Sequence, residues 1–257
     1  SGTNCDYDTA KAFERAGAHV ATSVFCDLTA DDIFASIETM KRMIDGCHIF
    51  VLSGGFSAGD EPDGSGKFIA NVLNNRKITD AIHALLDRGG LILGICNGFQ
   101  ALVKSGLLPY GRLGCVGKES PTLFRNDINR HVSQIVTTRV ATVNSPWLSS
   151  FEVGELHSIA VSHGEGKFVV SDEMAEELFR NGQVAFQYVD PDGNATLRAP
   201  YNPNGSSFGI EGIISRDGHI LGKMGHTERY EDGLFKNIAG NKVQEIFANA
   251  VNYFKGK

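Results

Sequence analysis

Residues 91–102 read LILGICNGFQAL, an apolar run that breaks at Gly94-Ile95-Cys96-Asn97-Gly98 and passes at once into helical spacing. A strand that turns sharply into a helix strains the backbone at the turn, and side chains on neighbouring residues would crowd it. Glycines at 94 and 98 remove that crowding. The segment therefore reads as a nucleophile elbow, with Cys96 at the carboxyl end of a strand and the N-terminus of a helix. Unpaired backbone N–H groups and the helix dipole favour negative charge on the sulfur there. The competing reading, a buried core thiol, is the common one for a lone cysteine, and the glycines at a strand end weigh against it.

The flanking pattern supplies a sheet for the elbow. Residues 7–16 carry helical spacing, 19–25 read as a strand rich in β-branched and apolar side chains, and 31–43 are helical again. Residues 47–53 form a short apolar strand ending in Gly54-Gly55, and 68–88 are helical until Gly89-Gly90 stops them. Alternating strands and helices imply an α/β fold with a doubly wound, mostly parallel central sheet and flanking helices. Ligands bind such sheets at the carboxyl ends of strands, where Gly54-Gly55 and Cys96 both fall. After the elbow helix Gly106 is a natural C-cap and Pro109 prevents resumption. Further on, 134–142, 156–162, 184–189 and 208–214 read as additional, antiparallel strands. Arg216-Asp217-Gly218 is a hairpin turn leading into Lys223-Met224-Gly225-His226. Pro191-Asp192-Gly193-Asn194 and Asn202-Pro203-Asn204-Gly205 mark loops, and 242–254 should close the chain as a helix packed on the sheet.

A chain of 257 residues, 42% hydrophobic with 30 glycines, can bury its core as one domain, taken as 1–257. A formal charge of -6 without any long Lys/Arg run argues against nucleic acid as a partner. Five scattered cysteines without a C-x-x-C pair fit reduced thiols in a cytoplasmic protein better than disulfides or a zinc site. Cys5, Cys26, Cys47 and Cys115 then read as small buried side chains. No stretch is long and apolar enough for a bilayer and no signal sequence opens the chain, so no membrane is expected. Ser1-Gly2-Thr3-Asn4-Cys5 looks like a loop that should follow a strand, which suggests a piece of a longer chain or complex.

Far from the elbow, His226-Thr227-Glu228 closes an apolar segment, and residues at i and i+2 of extended chain share a face. In isolation this is an exposed polar loop. With Cys96 it becomes a plausible triad: His226 carries protons and Glu228 fixes its tautomer. No H-E-x-x-H or equivalent spacing supports a metal. Gly54-Gly55-Phe56-Ser57 is either a glycine turn or half of an oxyanion hole, the Asn97 N–H being the other half. No Walker loop is present, and Gly64-Ser65-Gly66-Lys67 reads as a turn opening a helix, so no ATP site is expected.

Gly94-Ile95-Cys96-Asn97-Gly98-Phe99-Gln100 closely resembles the nucleophile motif of triad-type, class I glutamine amidotransferases. Five further segments match in order: Gly2-Thr3-Asn4-Cys5, Gly54-Gly55-Phe56-Ser57 with Gly59-Asp60, Ser162-His163-Gly164-Glu165-Gly166, Asn202-Pro203-Asn204-Gly205-Ser206 and His226-Thr227-Glu228-Arg229. Together they are similar to the glutaminase domain of phosphoribosylformylglycinamidine synthases. The resemblance implies that Cys96 attacks the glutamine carboxamide, His226 relays protons and Glu228 orients it, with the backbone of Gly55 and Asn97 holding the oxyanion. It implies that Phe56, Gln100, Ser162, His163, Gly164 and Glu165 grip glutamine. It also implies a formylglycinamidine ribonucleotide synthetase domain or subunit as partner, with ATP and Mg confined to that partner and no cofactor in this domain. Two departures stand out. Many relatives carry proline on each side of the histidine, where this chain has Gly225 and Thr227, which should be tolerated; the missing opening strand would loosen the sheet edge of the domain on its own. The rival expectations are a stand-alone cysteine hydrolase of related fold and a non-catalytic interaction module.

Overall fold

The computed structural model describes residues 3–56 and 66–256. Gly2, Ser57, Gly59, Asp60, Gly64 and Ser65, which belong to motifs singled out above, lie outside the described residues. The first half alternates as expected: α1 (Asp6–Arg15), α2 (Ala30–Gly46), β1 (Ile49–Leu52), α3 (Lys67–Leu73), α4 (Arg76–Asp87), β2 (Leu91–Ile95) and α5 (Asn97–Ser105). The second half adds α6 (Leu107–Tyr110), β3 (Thr122–Phe124), β4 (Val132–Val140), β5 (Leu156–His163), β6 (Lys167–Val169), α7 (Asp172–Arg180), β7 (Val184–Tyr188), β8 (Ile210–Ile214), β9 (Ile220–Lys223) and α8 (Ile246–Lys255).

Seven strands form one sheet in the order β1-β2-β9-β8-β7-β4-β5, and β3 pairs with β6 in a separate ribbon. The sheet is mixed. β1, β2 and β9 are parallel, and every pair from β9 to β5 is antiparallel. The α/β class, flanking helices and additional antiparallel strands are thus present, with the parallel part limited to the three strands around the elbow. β2 is buried along its whole length, as an unbroken apolar run between helical layers requires. Behind it, α5 buries Phe99, Ala101 and Leu102 completely, and the Phe99 ring stacks on Phe168 at 6.3 Å. The turn after β8 is the expected hairpin: Gly218, with φ of +75°, donates its N–H to the Ser215 carbonyl at 2.9 Å.

Three expectations need correction. Residues 19–25 form no strand; they run as extended chain, with Val24 60% exposed and the Phe25 ring set edge-on against Phe68. β-branched composition permits extended backbone, but a strand exists only where a neighbour supplies the ladder. The helical stretch over 68–88 is interrupted, because Asn75 caps α4 by accepting the Lys77 N–H. The terminal helix starts only at Ile246. α7 and the β3–β6 ribbon were not anticipated, although Ser171 before an amphipathic run, accepting the Met174 N–H, is a legible helix start.

Candidate active site

The elbow is built by close approach. Cys96 takes φ 51° and ψ -106°, a conformation that side chains avoid, and its N–H is held by the Lys223 carbonyl of β9 at 2.8 Å. Gly98 lets α5 descend onto β1: a Cβ there would lie 2.0 Å from the Leu52 carbonyl oxygen. A Cβ at Gly94 would meet the Gly98 backbone at 2.7 Å. These two glycines place the sulfur at the N-cap of α5, where the helix's positive end faces it. Cys96 is buried, and its Sγ lies 3.8 Å from the Ser162 carbonyl oxygen.

His226 arrives from the end of β9, one residue before the 3-10 turn Thr227–Arg229. Its N–H is anchored on the Ala160 carbonyl at 2.8 Å, and its Nδ1 lies 2.7 Å from Glu228 Oε1. With Nδ1 so engaged, the ring's other nitrogen is left for proton exchange. Both His226 and Glu228 are buried. Burial pushes the imidazole down, but hydrogen bonds to Cys5, Cys96 and Glu228 and the Glu228 charge outweigh it and hold the ring well above the usual histidine range. Cys5 is the surprise. Read from sequence as one of four small buried thiols, it sits with Sγ 4.0 Å from His226 Nδ1. Of the others, Cys26 and Cys47 are half-buried and Cys115 is exposed, so the buried reading fails for all three.

The remaining candidates surround this centre. A Cβ on Gly54 would lie 2.8 Å from His226 Cε1 and 3.2 Å from Cys96 Cβ, so that turn roofs the pair. Asn4 braces it by accepting the Phe56 N–H at 3.0 Å, and the Asn97 side chain donates to the Gly55 carbonyl at 2.9 Å. Phe56 itself is 66% exposed. Gln100 is buried and donates to the Glu165 carbonyl, tying α5 to the segment 162–166. Ser162 bonds through Oγ to His131 at 2.9 Å, and Glu165 reaches Arg125 at 4.0 Å. Gly164 has open space where a side chain would be. His163 is buried; burial and the neighbouring His226 push it down to about 4, so it is neutral at physiological pH.

Sequence reasoning missed the scaffold of that segment. Asn126 donates to the His163 carbonyl at 2.9 Å and accepts the Gly166 N–H at 3.0 Å. Asn204 donates to the Gly166 carbonyl at 2.8 Å, which gives the Asn202-Pro203-Asn204 motif a structural task. Among the described residues, Cys5, His226 and Glu228 offer ligand atoms within 4.8 Å of one another, a spacing a metal ion can use, but the His226–Glu228 hydrogen bond already occupies two of the three. A cavity of about 320 Å³ lies elsewhere, at the entry to β1, lined by Cys47, His48, Arg88 and Phe254, and holds none of these groups. No helix among the described residues is long and apolar enough to cross a membrane.

The family model of CobB/CobQ-like glutamine amidotransferase domains matches residues 1–254. The phosphoribosylformylglycinamidine synthase subunit PurQ of Gloeobacter violaceus is 36% identical over 202 residues, 79% of this chain and 79% of its own. The same subunit from Methanococcus maripaludis is 34% identical over 272 residues, covering 98% of this chain and 95% of its own. Among solved structures, that of PurLQS from Thermotoga maritima superimposes with a TM-score of 0.68 at 28% identity, over 98% of this chain and 94% of that one.

Proposed function

The chain belongs to the CobB/CobQ-like glutamine amidotransferase family, and from that premise we propose how its site works. It is the glutaminase subunit of a phosphoribosylformylglycinamidine synthase: it releases ammonia from glutamine for a synthetase partner in purine biosynthesis. Residues 1–257 act as one glutaminase domain. Cys96 attacks the carboxamide carbon, the tetrahedral oxyanion is held by the backbone of Gly55 and Asn97, and His226 hands a proton to the leaving ammonia. Water, deprotonated by His226, then cleaves the glutamyl thioester to glutamate. Glu228 keeps the imidazole in one tautomer throughout. Phe56, Gln100 and the segment Ser162, His163, Gly164 and Glu165 form the glutamine pocket. His163, neutral at physiological pH, and Gln100, committed to Glu165, shape that pocket as much as they contact substrate. ATP and Mg serve the partner, and the domain needs no cofactor of its own. Its free thiols fit the cytoplasm.

The observation that carries the reading is an elbow cysteine that shares the Gly54 roof with a histidine lying 2.7 Å from a buried glutamate. A glutamine-analogue electrophile tests it. Mass mapping should find the label on Cys96 alone, with glutamine protecting it; a label on another cysteine, or none protected by glutamine, contradicts the assignment.

A further inference from the structure

Lys223 ends β9 and Glu211 lies on β8. Both side chains are fully buried, with Nζ 3.5 Å from Oε1. Withdrawing two charges from water costs more than such a pair commonly returns, so what else the pair holds is decisive. It holds the residues on both sides of His226, Gly225 by its backbone and Thr227 by its hydroxyl. Glu211 Oε1 accepts the Gly225 N–H at 2.5 Å, and Lys223 Nζ donates to the Gly225 carbonyl and to Thr227 Oγ1, each at 2.9 Å. Thr227 Oγ1 in turn donates to Gln244 Oε1 at 2.6 Å. The carbonyl of the same Lys223 accepts the Cys96 N–H at 2.8 Å. One residue thus carries the nucleophile on its backbone and the base's loop on its ammonium.

The loop has little stiffness of its own, because glycine leaves the backbone free. Nor can a side chain supply it: a Cβ at Gly225 would lie 2.7 Å from Ile159 Cγ2, 2.9 Å from Glu211 Oε1 and 3.0 Å from Lys223 Nζ. The charged pair fills the space and provides the bonds. We propose that Lys223 and Glu211, with Thr227 as their link, are positioning residues that set the Cys96–His226 geometry for glutamine hydrolysis. The proposal rests on the glutaminase reading above. None of the three touches the reacting atoms; they act through the residues they hold.

The test is made on the chain assembled with its synthetase partner. Thr227→Val keeps the shape and removes the hydroxyl, and should lower kcat for glutamate release by about tenfold with KM for glutamine little changed, since misplacing a reacting group costs turnover. Thr227→Ser should recover most of the loss. The neutral double variant K223M/E211Q should lose about a hundredfold. The rate of Cys96 alkylation by iodoacetamide against pH should shift its midpoint in both Thr227→Val and the double variant, a readout that needs no substrate. Folded variants with unchanged kcat and alkylation profile, or Thr227→Ser as impaired as Thr227→Val, would overturn the proposal; if the double variant does not fold, the Thr227 pair decides alone. Absence of glutamate release by the wild type would instead sink the glutaminase reading, while the alkylation profile still reports positioning.

Discussion

His226 holds its proton against its surroundings: burial opposes the charge, and the hydrogen bonds of Cys5, Cys96 and Glu228 more than restore it. Because the folded-state value is raised above the ordinary histidine value of about 6.5, the stability it contributes is complete below that pH and is lost as pH climbs through the folded value. Glu228→Gln should therefore lower the His226 titration midpoint seen by NMR, and the Tm advantage of wild type over this variant should shrink from pH 6 upward. A gap that widens instead would place the proton elsewhere. In glutamate release, His226→Ala should lose nearly as much as a Cys96 variant, whereas Glu228→Gln should keep more, because orientation suffers while the proton carrier remains. A Glu228 variant weaker than the His226 variant would reverse the assigned roles. Cys96, His226 and Glu228 were legible because each sits in a local pattern, glycines around a turn or an i, i+2 pair. Cys5, 221 residues from His226 in the chain, and the charged pair of Lys223 and Glu211 carried no such signal; only folding brings them to the site.

At the scale of elements, the elbow depends on α5 lying almost on the backbone of β1. Gly98→Ala puts a methyl group 2.0 Å from the Leu52 carbonyl oxygen, so the helix must retreat. The expected cost is about 1–3 kcal/mol in urea unfolding, together with loss of glutaminase activity; a variant as stable and active as wild type would show that the approach is not tight. The segment after β5 yields a second prediction. His163 is buried with a value lowered to about 4, so its neutral form stabilises the fold in full above about pH 6.5, and that contribution falls away as pH drops toward 4. His163→Asn, unable to titrate, should flatten stability against pH across that window, by roughly 3 kcal/mol at most. An unchanged slope would mean that His163 is reached by water in the folded state. Strands and helices with strong apolar runs were legible, β2 and α5 most clearly. Residues 19–25 were misread because composition reports extended backbone and not its partner, and the break at Asn74-Asn75 because capping asparagines also occur inside helices. The sheet's direction was only partly legible: the helical crossover from β1 to β2 implies parallel pairing and the turn at Arg216-Asp217-Gly218 implies the antiparallel pairing of β8 with β9, whereas nothing local marks that β9 lies parallel beside β2.

At the scale of the whole molecule, the proposed glutamine pocket draws on the turn Gly54 to Phe56 and on the end of β5 with the loop after it, Ser162 to Gly166, with Phe56 largely exposed. A synthetase partner can order those loops, and ammonia released without an acceptor is wasted. The chain alone is expected to hydrolyse glutamine weakly, with partner and nucleotide ligands raising the rate; a displaced oxyanion donor by itself costs about a hundredfold or more. Full activity of the chain alone, unchanged by the partner, would end the coupling argument and leave the triad standing. The central claim, that Cys96 serves only to make ammonia, is tested most directly by Cys96→Ser in the complete synthase, assayed for amidine formation with glutamine or with ammonium salt as nitrogen source. Glutamine-dependent synthesis should fall below about one thousandth of wild type while ammonia-dependent synthesis persists unchanged; equal loss of both would contradict the account.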